Sequence, residues 1–108
     1  MWLVRDGEVL ATLELAETFA GRAKGLLGRD SIEGALLLRP AKSVHTIGMH
    51  FPIDVAFVDH ELVVLRTVAM KPWRMGRPVW KAHAVVEAEA GTFASWNLRP
   101  GDQLEIKG

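Results

Sequence analysis

The sequence has no cysteine among its 108 residues. A disulfide framework, a thiolate metal site and a cysteine nucleophile are therefore excluded, and the stability of the fold has to come from packing. The chain also lacks an excess of charge, because 13 basic residues balance 13 acidic ones. Since a neutral chain has no overall field that attracts nucleic acid or an anionic membrane, nucleic acid is not expected as the main partner. Only a local basic patch could provide that attraction.

Long hydrophobic runs are absent as well. No segment reaches the ~18 uncharged apolar residues of a transmembrane helix. The first residues include Arg5, Asp6 and Glu8, which interrupt the basic and then apolar pattern of a secretory signal. We therefore expect a cytoplasmic protein without a membrane span. No motif indicates a particular cofactor.

What is present is typical of a folded domain. Apolar residues make up 49% of the chain and charged residues 24%, which is close to the average of globular proteins. A chain of this length forms one ordinary domain and buries roughly two-thirds of the surface that its unfolded form exposes. Since no repeat, linker or low-complexity tract divides the sequence, we expect residues 1–108 to form a single domain.

Local patterns at the start of the chain predict a hairpin followed by a helix. Asp6-Gly7 lies between two apolar runs, and such a pair is typical of a two-residue turn, so residues 2–5 and 8–16 are predicted as paired strands. Thr18 stands where a helix N-cap would. Apolar residues at positions 19, 23, 26 and 27 then form one face of a helix that Gly28 would end.

The remaining patterns predict mainly strands. We expect these over residues 35–39, 53–58, 62–69 and 83–89 and around Leu104 and Ile106, with a helical turn or two over residues 92–98 capped by Thr92. Residues 70–81 contain two prolines and a glycine and are predicted as a long irregular loop. The fold class is therefore α+β, mainly antiparallel β, as a small partial barrel with one short helix packed across it.

Residues 43–59 concentrate side chains that a plain core strand does not need. These are His45, Thr46, Met49, His50 and Asp54. If residues 53–58 form a strand, Asp54 lies on the face opposite Ile53, Val55 and Phe57. These side chains are therefore the first candidates for a functional site.

Three sequence blocks resemble the domain of unknown function 192 family, a set of small uncharacterised proteins widespread in prokaryotes. They are RAKGLLGR at residues 22–29, HTIGM at 45–49 leading to PIDVAF at 52–57, and VE at 86–87 with Gly91 before LRPGD at 98–102. The resemblance implies a compact β-rich domain and no settled activity. The family usually has an aromatic-Trp-Met-Lys-Asn-Thr sequence where this chain has His-Thr, so it is similar to a His-Thr subgroup and roles of that lysine or asparagine are not carried over.

The preferred hypothesis is non-enzymatic binding of a small ligand or a protein partner near residues 45–54. Imidazole and carboxylate groups are also suitable metal ligands, so a metal site at His45, His50 and Asp54 is one alternative. Acid–base catalysis by His45 with Asp54 or Glu87 is another. Glu87 is either exposed or buried against Arg22 or Arg29, and for this residue we favour the structural role of a buried ion pair. The candidate ligand-binding residues are Arg22, His45, Thr46, Met49, His50, Asp54 and Glu87.

A basic loop is the second candidate site. Lysine, arginine and tryptophan alternate over residues 71–81, at Lys71, Trp73, Arg74, Arg77, Trp80 and Lys81. Aromatic rings that stack on bases beside cations that meet phosphates are typical of weak anion or single-stranded nucleic-acid binding. The alternative is a structural loop whose tryptophans cover the edge of the core, with cation–π contacts from Arg74 or Arg77.

Overall fold

The first two strands form the hairpin that the Asp-Gly pair predicts. In the computed structural model, which describes residues 1–108, β1 is Trp2–Arg5 and β2 is Glu8–Ala16, paired antiparallel. Asp6 and Gly7 between them have φ values of 50° and 79°. Both residues of a type I′ turn need positive φ, which aspartate tolerates and glycine adopts freely. The prediction of this hairpin is confirmed.

Five more strands and two short helices complete the fold. The strands are β3 (Ala35–Leu38), β4 (Ile53–Val58), β5 (Val64–Met70), β6 (Ala84–Glu89) and β7 (Leu104–Lys107). The helices are α1 (Phe19–Lys24) and α2 (Thr92–Trp96). Neither helix is long and apolar enough to cross a membrane. Residues 71–83 contain no helix or strand, as the long loop prediction requires.

All seven strands belong to one sheet, in the order β5-β4-β6-β3-β2-β1-β7. Every neighbouring pair is antiparallel except β2 and β3, which are parallel. Because a parallel pair cannot be joined by a tight turn, the chain needs a crossover there, and α1 lies in it. The α+β class with a mainly antiparallel sheet is confirmed.

The sheet curls towards closure at one end only. Its two edge strands are β5 and β7, and an isolated bridge joins Val63 to Gln103 just outside them. The amide of Val64 donates to the carbonyl of Asp102 at 2.9 Å, and the amide of Leu104 donates to that of Leu62 at 3.0 Å. Beyond these contacts β5 and β7 do not pair with each other along their length. The fold is therefore an open, partial barrel, as predicted.

The middle of the sheet separates two apolar clusters. All six residues of β4 are buried. Ile53, Val55 and Phe57 pack in the cluster that also holds Leu26 and Met49, whereas Ala56 and Val58 pack in the other. The predicted alternation of β4 is therefore confirmed.

The first helix is shorter than its apolar pattern predicts. Thr18 is its N-cap as predicted, and its Oγ1 accepts a hydrogen bond from the amide of Gly21 at 2.9 Å. The helix ends at Lys24 because Gly25 has φ 45° and ψ −123°, which no helical residue adopts. No residue of α1 is buried; Phe19 is 81% exposed, and Leu26, after the helix, packs into the core instead.

The cap of the second helix also differs from the prediction. Gly91, with φ 93°, is the N-cap of α2, and Thr92 is its first residue. Gly91 offers no side chain for capping. The first amides of the helix are instead bound by Asp54, which lies far away in sequence on β4.

Candidate functional site

A cavity of about 70 Å³ lies between the end of α1 and one face of the sheet. Residues 22–27 form one wall, Ser43, Val44, His45 and Met49 form another, and Leu38 of β3 and Glu87 of β6 form the floor. The sharp turn at Gly25 carries the chain across this floor. A Cβ atom at Gly25 would stand 3.9 Å from the Glu87 Oε1 atom, so the backbone passes close to that carboxyl group.

Glu87 is the unusual residue of this cavity. It lies in the middle of β6, opposite Leu36 of β3 and Val55 of β4, and only 4% of its surface is exposed. Its carboxyl group forms no hydrogen bond and no ion pair within the chain. Because no fully enclosed side-chain oxygen of the chain lacks a partner, the Glu87 oxygens are open to the cavity. Burial raises the pKa of Glu87 from 4.5 to about 7, because a charged carboxylate loses its hydration there.

The basic partners considered for Glu87 bind elsewhere. Arg29 forms an ion pair with Glu14 at 3.0 Å, which lowers the pKa of that glutamate. Arg22 donates from Nη1 to the carbonyl oxygen of Glu17 at 2.7 Å. The predicted buried ion pair of Glu87 is therefore wrong.

Basic side chains surround the cavity above Glu87. Arg22, Lys24 and His45 all line it, and none of them forms an ion pair. His45 is exposed, whereas Arg22 is partly buried. The cavity thus combines a buried acid at its floor with three basic groups on its walls.

The other candidates from residues 43–59 do not all meet there. Met49 lines the cavity. Thr46 is fully buried, and its hydroxyl donates to the carbonyl of Lys71 at 2.6 Å and accepts from the amide of Arg74 at 2.9 Å. His50 is exposed and lies 2.9 Å from Asp30. Thr46 therefore ties the basic loop to this segment and does not line the cavity.

Asp54 lies on the opposite face of the sheet from Glu87. Its Oδ2 atom accepts hydrogen bonds from the amides of Gly91 and Phe93, both at 3.0 Å. No group of three or more histidine or acidic side chains is arranged to hold a metal ion. Of the two carboxylates considered for acid–base chemistry with His45, Glu87 shares its cavity and Asp54 does not.

Besides the apolar residues of its lining, three cavity residues were not predicted as site residues from the sequence. Lys24, Gly25 and Ser43 line the same cavity as Glu87. Lys24 and Gly25 belong to the RAKGLLGR block, so the motif contained a signal for them, but only the fold brings that block to β6. Ser43 had no such signal.

The basic loop borders a second hollow, of about 400 Å³, beside β5. Arg66, Lys71, Arg74 and Arg77 line it. Trp73 and Trp80 do not line it, and they are 65% and 75% exposed. The tryptophans therefore do not cover the edge of the core, which the structural alternative for this loop required.

Sequence comparison gives one matching family model. The model for DUF192, described as Uncharacterized ACR, matches residues 2–106. A UPF0127 protein of Pyrococcus abyssi is 29% identical over 98 residues, which cover 86% of this chain and 84% of that protein. A UPF0127 protein of Pyrococcus furiosus is 29% identical over 108 residues, covering 95% and 93%.

Two crystal structures are similar in fold. A protein of unknown function from Novosphingobium aromaticivorans has a TM-score of 0.75 at 27% identity, with 87% of this chain and 74% of that chain covered. A Sinorhizobium meliloti protein, assigned only provisionally as a transcription regulator, has a TM-score of 0.82 at 22% identity, with 96% and 89% covered. At that identity the second likeness concerns the fold alone.

Proposed function

This chain belongs to the DUF192 family of uncharacterised proteins, and from that premise we propose that it binds a small polar ligand in the cavity between α1 and β6. The ligand carries an N–H donor group, such as an ammonium, that pairs with the Glu87 carboxylate. The site comprises Arg22, His45 and Met49, which were predicted from the sequence, together with Lys24 and Ser43. Thr46, His50 and Asp54 are not part of it.

The observation that supports this proposal is the Glu87 carboxyl group, which is only 4% exposed, has no partner in the chain and lines the cavity. Shifting a carboxyl pKa from 4.5 to about 7 corresponds to roughly 3 kcal/mol of unfavourable free energy for the charged form. Groups with a strongly shifted pKa that line a cavity are concentrated at functional sites. A donor group that enters the cavity would provide the missing interaction.

The residues in the walls of the cavity indicate which other chemical groups the ligand carries. Arg22, Lys24 and His45 can meet an acceptor or anionic group, while Leu38 and Met49 offer apolar contact. A cavity of about 70 Å³ holds only a few water-sized groups. A compact molecule with a cationic and an anionic end, such as a small amino acid, fits this distribution of charge.

A thermal-shift screen tests the proposal. The panel comprises small amines, amides, amino acids and divalent metal chlorides at pH 8, applied to the wild-type protein and to Glu87→Gln. Glu89→Gln is the matched control, because Glu89 lies on the same strand and is exposed. A ligand at one hundred times its Kd stabilises a protein by about 2.7 kcal/mol, which raises the Tm of a small domain by roughly 10 °C.

The expected result is a nitrogen-containing ligand that stabilises the wild type and the Glu89→Gln variant but not Glu87→Gln. Equal stabilisation of all three proteins would place the ligand elsewhere. A panel without any Glu87-dependent stabiliser would contradict the proposed N–H donor chemistry. Stabilisation by a divalent metal alone would replace it with a metal site.

A further inference from the structure

The outer side of β5 is an open edge of the sheet. β5 is the last strand in the order and pairs only with β4. Val64 is bonded across to Asp102 and Gly101, but no backbone hydrogen bond joins residues 65–70 to anything outside the β4 ladder. An edge strand presents alternate amide and carbonyl groups that a further strand can pair with.

The hollow beside this edge carries charge of one sign. Arg66 on the strand and Lys71, Arg74 and Arg77 on the loop line it, and no acidic residue does. None of the four forms an ion pair. Because the whole chain is neutral, this is a local concentration of positive charge, which selects a negatively charged partner.

The loop presents apolar groups in a fixed arrangement. Trp73 and Met75 are exposed, although the backbone beneath them is well bound. The amide of Trp73 donates to the carbonyl of Thr46 at 2.8 Å. Trp73 itself has φ 64°, a conformation that a bulky residue keeps only when its surroundings hold it there. The surface is therefore largely formed before any partner binds.

We propose that this β5 edge surface, comprising residues 66–70 and the loop 71–77, binds an acidic protein segment that adds to the sheet as an extended strand. Tryptophan, methionine and arginine are the residues enriched in protein interfaces. Strand addition uses the open backbone edge, and the cations select acidic side chains. Single-stranded nucleic acid fits less well, because its bases need aromatic rings within the groove that holds the cations, and Trp73 and Trp80 lie outside the hollow that the cations line.

Labelled peptides of twelve residues test this proposal by fluorescence anisotropy. The probe alternates glutamate with valine or threonine. One control peptide has lysine in place of glutamate. Two others carry N-methyl groups on alternate residues, so that each blocks the amides on one of the two backbone edges of the peptide. N-methylation removes the amide donors of one edge while leaving the charge unchanged.

The protein variants are Arg66→Glu with Arg74→Glu and, as a control at an exposed position of β7 that pairs with Trp2, Lys107→Glu. We expect the acidic probe to bind the wild type and the Lys107→Glu control alike, and the Arg66/Arg74 variant at least roughly tenfold more weakly. One of the two N-methylated peptides should no longer bind the wild-type protein. Circular dichroism and Tm establish that each variant is folded.

Several results would overturn the proposal. These are no binding of the acidic probe, equal binding of the lysine probe, or binding that neither N-methylated set reduces. Binding of an oligothymidylate that is lost in the Arg66/Arg74 variant, without peptide binding, would assign the surface to nucleic acid. Dimerisation in sedimentation experiments, if lost in that variant, would assign it to a second copy of the chain.

Discussion

At the scale of single residues, two buried acids of the same sheet serve different purposes. Asp54 on β4 accepts two backbone hydrogen bonds from the start of α2. Glu87 on the neighbouring strand has no hydrogen-bond partner and lines a cavity. Both are acidic residues within apolar strands, so the residues that flank them in sequence do not distinguish them. The distinction comes from what the opposite faces of the sheet place against them.

The raised pKa of Glu87 makes stability depend on pH. The pKa of Glu87 is about 7 in the folded state against its ordinary value of 4.5, so between these values the folded state binds more protons than the unfolded state. Stability from this group is therefore complete below pH 4.5 and is lost as the pH rises through 7. We expect Glu87→Gln to exceed the wild type by roughly 3 kcal/mol at pH 8 and to differ little at pH 4.5.

Urea denaturation at several pH values measures this difference. Glu89→Gln, on the exposed end of the same strand, should follow the wild-type profile throughout. A Glu87→Gln profile parallel to the wild type between pH 4.5 and pH 8 would show that Glu87 has an ordinary pKa.

Asp54 should contribute to stability through the cap that it supplies to α2. We expect Asp54→Ala to lower the free energy of unfolding by about 1–2 kcal/mol, because the Gly91 and Phe93 amides lose their acceptor. Asp30→Ala, which removes an exposed carboxylate, should change it by less than about 0.5 kcal/mol. Equal effects in denaturant titrations would argue against the capping role.

At the scale of elements, the parallel pair β2–β3 depends on one close approach. Gly34, just before β3, has φ 73°. A Cβ atom there would overlap the Thr12 hydroxyl and stand 2.5 Å from the Thr12 carbonyl oxygen. Glycine is thus required both by the backbone conformation and by the neighbouring strand.

Replacing Gly34 with alanine should therefore lower the free energy of unfolding by more than the backbone strain alone would. We expect Gly34→Ala to lose more than about 2 kcal/mol of stability, because left-handed strain adds to an overlap with backbone. Gly7→Ala is the control, since Gly7 has φ 79° with nothing within 4 Å of its Cβ position, and strain there costs about 1–2 kcal/mol. Thermal denaturation compares the two; an equal loss would mean that β2 can move away.

Elements whose signals are local were predictable from the sequence. The Asp6-Gly7 hairpin is one example, because its two residues determine the turn. The end of α1 was not, since the apolar pattern continues to Leu27 while Gly25 already leaves the helix. The cap of α2 was missed because its acceptor, Asp54, is 37 residues from Gly91.

The candidate site was predictable only in part for the same reason. His45, Met49 and Glu87 attracted attention as polar or soft side chains in apolar surroundings, and all three line one cavity. The sequence did not indicate that β6 lies between β3 and β4. That order brings Glu87 beneath residues 22–27, whereas it leaves Asp54 on the other side.

At the scale of the whole molecule, we expect the protection of backbone amides from hydrogen exchange to differ between the strands of the sheet. β3, β4 and β6 are interior strands buried on both faces, while β5 is an edge. We expect amides of β4 and β6 to exchange with solvent only on global unfolding. In residues 65–70, slow and fast amides should alternate, because only every second amide faces β4. Hydrogen exchange followed by NMR measures this pattern, and uniform protection of residues 65–70 would contradict the open edge.

The interior strands also act as a partition between two apolar clusters. Asp54 and Val55 are adjacent in sequence yet belong to different sides of that partition. Substitutions in the cavity beside α1 can therefore change which ligand binds there. The contacts on the α2 side of the sheet continue to stabilise the fold. The fold is therefore a suitable scaffold for diversifying recognition, with Arg22, Lys24, Ser43 and His45 varied and the reverse side kept constant.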